Sequence, residues 1–183
     1  MCSMAKNVKK ICLQCPKKVH CCKFDNPGFV FIGIKDALKI RKRYNLRYKD
    51  FLEFRKFSKK KISLLARSEE YNESHMRLKQ LRKDHLLVLK TKKNKDCIFF
   101  DKGCKIYQYR PLICRIYPYW FFLGEKRHII SHDGCSGCKT LKHDKGLAVL
   151  KKDELKQLIG LSKKIQAEDR YYRKNIDKFV KEI

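Results

Sequence analysis

Residues 97–118 read CIFFDKGCKIYQYRPLICRIYP. This segment carries three cysteines, and two prolines interrupt its second half. On either side of it, CLQCPKKVHCC at residues 12–22 and CSGC at residues 135–138 add further cysteines. The clustered cysteines are Cys12, Cys15, Cys21, Cys22, Cys97, Cys104, Cys114, Cys135 and Cys138. A tenth, Cys2, stands alone and is interpreted as having no role in a site.

Cysteines at this density are typical of chains that form disulfides or hold a metal. Lysines interrupt residues 1–30, so no apolar stretch there reaches the length of a signal peptide. We therefore expect a cytoplasmic protein, in a compartment where thiols stay reduced, and we interpret the clustered cysteines as metal ligands. Two alternatives stay open: burial as small apolar side chains, and disulfides of the kind found inside hyperthermophiles.

Two of the cysteine clusters contain a CxxC pair, Cys12 with Cys15 and Cys135 with Cys138. This spacing lets two sulfurs converge on one ion from a tight turn. Structural zinc takes four such ligands in a tetrahedron, and iron–sulfur clusters are also held by thiolates. Nine clustered cysteines exceed the needs of one four-ligand ion. The cofactor is therefore predicted to be an iron–sulfur cluster or Zn²⁺, held in two sites or in one site accompanied by structural thiols.

The chain is strongly basic, with 46 Lys and Arg against 19 Asp and Glu and a formal net charge of +27. Such a charge favours anionic partners, either an acidic protein or a nucleic acid, bound through a basic surface. Basic residues alternate with aromatic ones between Arg41 and Lys61, a pattern that can follow a nucleic-acid backbone. We favour the other interpretation, in which the aromatic side chains face the core and the lysines are solvated. No apolar run approaches membrane-spanning length, so no membrane segment is expected.

Apolar periodicity predicts an α+β fold in one small domain. Short antiparallel strands are expected around the cysteine-ligated metal site, with several helices packed on them. Residues 1–146 are assigned to a cysteine-cluster domain, and residues 147–183 to a helical extension packed on the same domain. A buried strand is predicted at 29–32, followed by helices over 34–83 with a break at Asn45. Leu86–Leu89 and Cys97–Phe100 are predicted to form a hairpin that turns at Lys92–Asp96. A further strand is predicted at His128–Ser131, and helix is predicted over Leu147–Ile183 with a kink at Gly160.

The segment CKIYQYRPLICRIYP at residues 104–118 resembles the CxIYxxRPxxCRxYP signature of the YkgJ-type cysteine-cluster family. The adjacent Cys21 and Cys22 are similar to the paired cysteines of that family's CxxCxxCC cluster, and the resemblance extends over residues 12–138. It implies a metal-binding domain for zinc or iron. The cluster is also similar to that of flagellin lysine N-methylase, which implies a protein-lysine N-methyltransferase as an alternative function. A nucleic-acid-binding zinc module, suggested by the net charge, is the third.

Two arginines, Arg110 and Arg115, flank Cys114 in this signature. Cations at these positions would favour the thiolate and donate N–H bonds to sulfur or to a cluster, so both are predicted to bind the cofactor. Surface ion pairing is the alternative for each. Pro111 is expected to fix the turn that presents Cys114.

Overall fold

The computed structural model describes residues 29–60, 62–63, 84–116, 119–122, 128–131, 143–144, 147–148 and 152–183, and it has the α+β character that the sequence predicts. The helices are α1 (Ile34–Tyr44), α2 (Tyr48–Phe51), α3 (Leu112–Ile116) and α4 (Lys152–Val180), with a 3₁₀ turn at Tyr107–Tyr109. The strands are β1 (Leu52–Lys56), β2 (His85–Leu89), β3 (Tyr119–Phe122), β4 (His128–Ser131), β5 (His143–Asp144) and β6 (Leu147–Ala148).

Strand β2 lies at the centre of the core. One edge pairs antiparallel with β1, from Leu52 opposite Leu89 to Lys56 opposite His85. Along the other edge runs the extended segment 29–32, where the N–H of Leu89 donates to Val30 O over 2.9 Å. The predicted strand at 29–32 is thus present as a buried extended segment with one bridge, Phe31 to Val88. Both edges of β2 are thus occupied, and its residues Leu86–Leu89 are buried in the core.

Two predicted elements are wrong, and both errors concern strand pairing. The helical spacing of Phe51, Leu52 and Phe54 predicted a helix, but α2 ends at Phe51 and β1 begins at Leu52. Three apolar residues are too few to distinguish the periodicity of a helix from that of a strand. The hydrogen bonds available on β2 favour the strand. The predicted hairpin arm Cys97–Phe100 is not a strand either. The turn at Lys92–Asp96 forms, but both edges of β2 are taken and the chain reverses again where the N–H of Phe100 donates to Cys97 O.

The two long helices agree with their apolar patterns. Helix α1 ends at Tyr44, and the capping residue Asn45 has a left-handed backbone (φ 50°) and donates its N–H to Arg41 O, so the predicted break is confirmed. Helix α4 has 29 residues and runs through Gly160 without interruption. It begins at Lys152 instead of near Leu147, because residues 147–148 pair with β5 as strand β6.

A predicted strand and the predicted effect of Pro111 are confirmed, whereas most of one predicted helical region cannot be compared. The strand His128–Ser131 is confirmed as β4, which pairs antiparallel with β3. Helix α3 begins directly after Pro111, as expected where proline ends one element and opens the next. Most of the predicted helical region 59–83 lies outside the described residues.

The aromatic residues of the basic segment pack inward. Tyr48, Phe51 and Phe57 are buried, and Tyr44 and Phe54 pack against the same core. The interpretation that these rings form core, with solvated cations around them, is therefore confirmed. Within the described part of the chain, no helix combines the length and apolarity needed to cross a bilayer.

Helix α4 joins the core through a buried tyrosine. The Tyr172 hydroxyl accepts a hydrogen bond from the N–H of Leu87 over 3.3 Å, and its ring meets Phe31 edge-on at 5.5 Å between centroids. Burial raises the pKa of Tyr172, so the phenol stays protonated. Ile176 and Phe179 extend the same contact. The predicted boundary at residues 146 and 147 remains a prediction.

Replacing Tyr172 with Phe should lower the free energy of unfolding by about 1–3 kcal/mol, because it leaves the buried Leu87 N–H without its acceptor. Urea unfolding measures this change. Tyr171→Phe is the matched control on the same helix, since Tyr171 is only partly buried and its ring, which lies under Lys35, is retained. Equal unfolding midpoints for the two variants would contradict the assignment.

Candidate metal centre

Each of the three described cysteines lies where the backbone turns. Cys97 follows the Lys92–Asp96 turn and pairs across it with Thr91. Cys104 closes the next turn, bridging to Phe100, and its carbonyl accepts the N–H of Tyr107 at 3.2 Å. Cys114 lies in α3 and donates its N–H to Pro111 O at 2.9 Å. Three successive turns therefore carry these thiols.

The three cysteines also share one environment. Cys97 is buried within the main core, and Cys104 and Cys114 are partly buried and packed against it. Soft thiolate donors of this kind suit zinc and iron. The donor chemistry thus fits the metals that the sequence suggests.

The described residues do not form a complete site by themselves. Among the positions that the structure describes, no group of three or more His, Cys, Asp or Glu side chains is suited to hold a metal ion. The other predicted ligands lie outside those positions: Cys12, Cys15, Cys21, Cys22, Cys135 and Cys138. The ligand assignment therefore stays a prediction for all nine cysteines.

The start of α3 is held by a carboxylate from another helix. The N–H of Leu112 donates to Asp36 Oδ2 over 2.7 Å, across 76 positions of sequence. Asp36 is buried, and burial raises the pKa of its carboxyl. The Leu112 N–H and the positive charges of Lys39 and Arg115 oppose that increase. The bond satisfies one of the N–H groups that a helix leaves open at its first turn.

The start of α1 is held in the same way by α4. The N–H of Lys35 donates to Glu168 Oε1 over 2.7 Å. Burial raises the pKa of Glu168; the Lys35 N–H lowers it, and the negative charge of Asp36 raises it further. Gly33 is required here because a Cβ at that position would lie 2.3 Å from Glu168 Cγ. The carboxylate reaches Lys35 only because residue 33 has no side chain.

A cavity of about 20 Å³ lies between these two links and the segment that carries Cys114. Its lining includes both carboxylate residues, Asp36 and Glu168, together with Pro111 and Leu112. This volume is large enough for one water molecule. The two buried carboxylates therefore adjoin a mostly apolar, water-sized space next to α3.

Of the two arginines predicted to bind the cofactor, Arg110 lies just before α3 and Arg115 lies in its last turn. Arg110 donates from Nε to Tyr107 O over 3.2 Å, and its guanidinium lies 3.9 Å from the centroid of the Tyr107 ring. Arg115 is exposed, and its charge acts on the buried Asp36. The contacts with Tyr107 orient the Arg110 guanidinium, and the role of both arginines toward a cofactor remains a prediction.

Sequence reasoning did not identify Asp36 or Glu168 as residues of this region. The signal for Asp36 was an isolated acidic residue after the apolar run 29–34, at a helix start that lacks a capping side chain. Glu168 gave no local signal, because its partner Lys35 lies 133 positions away.

A family model named CxxCxxCC, described as a putative zinc- or iron-chelating domain, matches residues 11–139. No curated protein and no solved structure gives a significant match. The lysine N-methylase alternative therefore gains no support from these comparisons.

Glu168→Gln tests the cost of the buried charge. The glutamine amide oxygen can still accept from Lys35 N–H, but it cannot ionise. Because the folded pKa of Glu168 is raised above its ordinary value of 4.5, the folded protein binds more protons than the unfolded chain just above that pH. Wild-type stability should therefore fall relative to Glu168→Gln as pH rises through this range.

The measurement is the difference in urea midpoint between the two chains at about pH 4 and about pH 7, so that contributions common to both cancel. Lys35, Asp36 and Lys39 are the charged neighbours that act on this carboxyl. A difference that does not change with pH would show that Glu168 has an ordinary pKa in the folded protein.

Proposed function

Because this chain belongs to the family of putative zinc- or iron-chelating domains, we propose that its clustered cysteines hold the metal as an iron–sulfur cluster, with thiolate-bound Zn²⁺ as the alternative. The observation that carries the proposal is that all nine clustered cysteines lie within residues 11–139, the span that the family model matches. A bound cluster would supply electron transfer or a structural link, and zinc would supply the link alone.

The number of thiols favours the cluster. Four ligands complete a structural zinc site, whereas this chain has nine clustered cysteines. In the proposal, Cys97, Cys104 and Cys114 combine with cysteines of the 12–22 and 135–138 segments. The net charge of +27 favours thiolates, because a positive field stabilises the deprotonated sulfur.

The proposed location is the cytoplasm, where thiols remain available to a metal. An anionic partner remains part of the proposal only through the net charge. The aromatic rings between Arg41 and Lys61 that the structure describes are packed in the core, so this segment does not favour a base-stacking surface.

Protein purified and handled without oxygen should be brown, with broad visible absorption, and should contain iron and acid-labile sulfide. Metal analysis and absorption spectroscopy measure this. A colourless protein with stoichiometric zinc would replace the cluster with the zinc alternative. Absence of both metals, before and after reconstitution with iron and sulfide or with Zn²⁺, would contradict metal binding.

Cys114→Ser should lower the metal content per chain and the melting temperature together. Structural metal binding contributes roughly 10 kcal/mol to folding, against ~5–15 kcal/mol for the whole stability of a domain. For a chain of this size each kcal/mol corresponds to about 2–4 °C, so a shift of several degrees is expected even for partial loss.

Cys2→Ser is the matched control and should change neither quantity, since Cys2 lies outside the clusters. If Cys114→Ser keeps full metal content and wild-type melting, Cys114 is not a ligand.

A further inference from the structure

Helix α3, which carries Cys114, cannot hold its own position. It has five residues, and helices this short are unstable in isolation. Pro111 precedes it and has no polar side chain with which to cap it. The Pro111 carbonyl accepts from both Cys114 and Arg115, at 2.9 and 3.1 Å, so the backbone closes the turn but leaves the N–H of Leu112 for another partner.

Asp36 supplies that partner from α1. Its Oδ2 receives the Leu112 N–H over 2.7 Å, in a buried contact. Lys39 Nζ lies 3.7 Å from Oδ1, on the side of the carboxylate away from this bond, and Lys39 is mostly exposed. The carboxylate is therefore directed at the helix start and is only weakly neutralised by its ion pair.

Asp36 is itself fixed by a second carboxylate. Helix α1 begins after Gly33, which likewise cannot cap a helix with a side chain. Glu168 of α4 takes the Lys35 N–H, one residue before Asp36. Helices α1 and α3 thus both begin without a capping side chain of their own. Glu168 of α4 caps the start of α1, and Asp36 of α1 caps the start of α3.

We propose that Asp36 is a positioning residue for the metal site: its carboxylate fixes the first turn of α3 and thereby the direction in which Cys114 presents its sulfur. This inference rests on the proposed metal-binding function. Asp36 acts through the Leu112 backbone and not as a ligand. Partners that orient a ligand in this way typically change metal affinity by roughly 10- to 100-fold when removed.

Asp36→Leu is the decisive variant. Leucine has a similar shape but offers no acceptor to the Leu112 N–H, so the variant removes this one bond without leaving a buried charge. Zn²⁺ is the probe, with affinity measured by chelator competition on the full chain. We expect affinity to fall roughly 10- to 100-fold in Asp36→Leu. Asp36→Asn should recover most of the loss, because its amide oxygen can accept the same N–H.

Amide hydrogen exchange supplies a readout that does not depend on metal affinity. In Asp36→Leu, the amides of Leu112 and Cys114 should exchange faster than in wild type, whereas those of β2 should not change. Asp50→Ala is the matched control, because Asp50 caps a different short helix, accepting the Arg47 N–H at 3.0 Å. It should leave Zn²⁺ affinity unchanged.

The outcomes separate this inference from the function on which it rests. If wild type binds Zn²⁺ and Cys114→Ser weakens binding but Asp36→Leu binds like wild type, the positioning role is wrong and the metal site stands. If Asp36→Leu loses melting temperature without losing affinity, the role is structural and the inference is again overturned. If wild type binds neither Zn²⁺ nor a reconstituted cluster, the proposed function itself is wrong.

Discussion

The hydrogen bond from the Leu112 N–H to the buried carboxylate of Asp36 is the constraint on which the cysteine-bearing region depends. It connects a five-residue helix that would not persist alone to the first turn of α1. Helix α1 is held in turn by α4, through the hydrogen bond from the Lys35 N–H to Glu168. Tyr172 anchors α4 to the central strand β2. The position of Cys114 thus follows from a chain of contacts through two other helices, α1 and α4, and the sheet.

These contacts have an electrostatic cost. Burial raises the pKa of both Asp36 and Glu168, and each carboxylate gains only partial compensation from exposed lysines. The backbone N–H groups at the two helix starts provide the rest of the compensation for burying these carboxylates. The N–H groups gain as well, because a buried N–H without an acceptor is itself unfavourable. In a chain with a net charge of +27, the hydrogen-bond partners of Asp36 and Glu168 at these helix starts are backbone N–H groups and not the plentiful cations.

Local patterns predicted the elements whose stability is local. The sequence predicted the helices α1 and α4 from their periodicity, the break at Asn45, and the strand β4. The predictions of a helix through Phe54 and of a strand at Cys97–Phe100 were wrong, because pairing with β2 determines the structure of both segments. The two capping carboxylates could not be predicted, since their partners lie 76 and 133 positions away. For the site, the sequence supplied the cysteines and the family, and the structure added how Cys114 is held.

The order of the chain gives the Glu168 contact a consequence for biosynthesis. Every clustered cysteine precedes Glu168 in the sequence, the last being Cys138. Domains fold during synthesis as their residues emerge, at about 5–20 residues per second. All nine clustered thiols therefore emerge from the ribosome before the residue that fixes α1. The nascent chain passes through an interval in which its cysteines have emerged but α1 still lacks its anchor on α4.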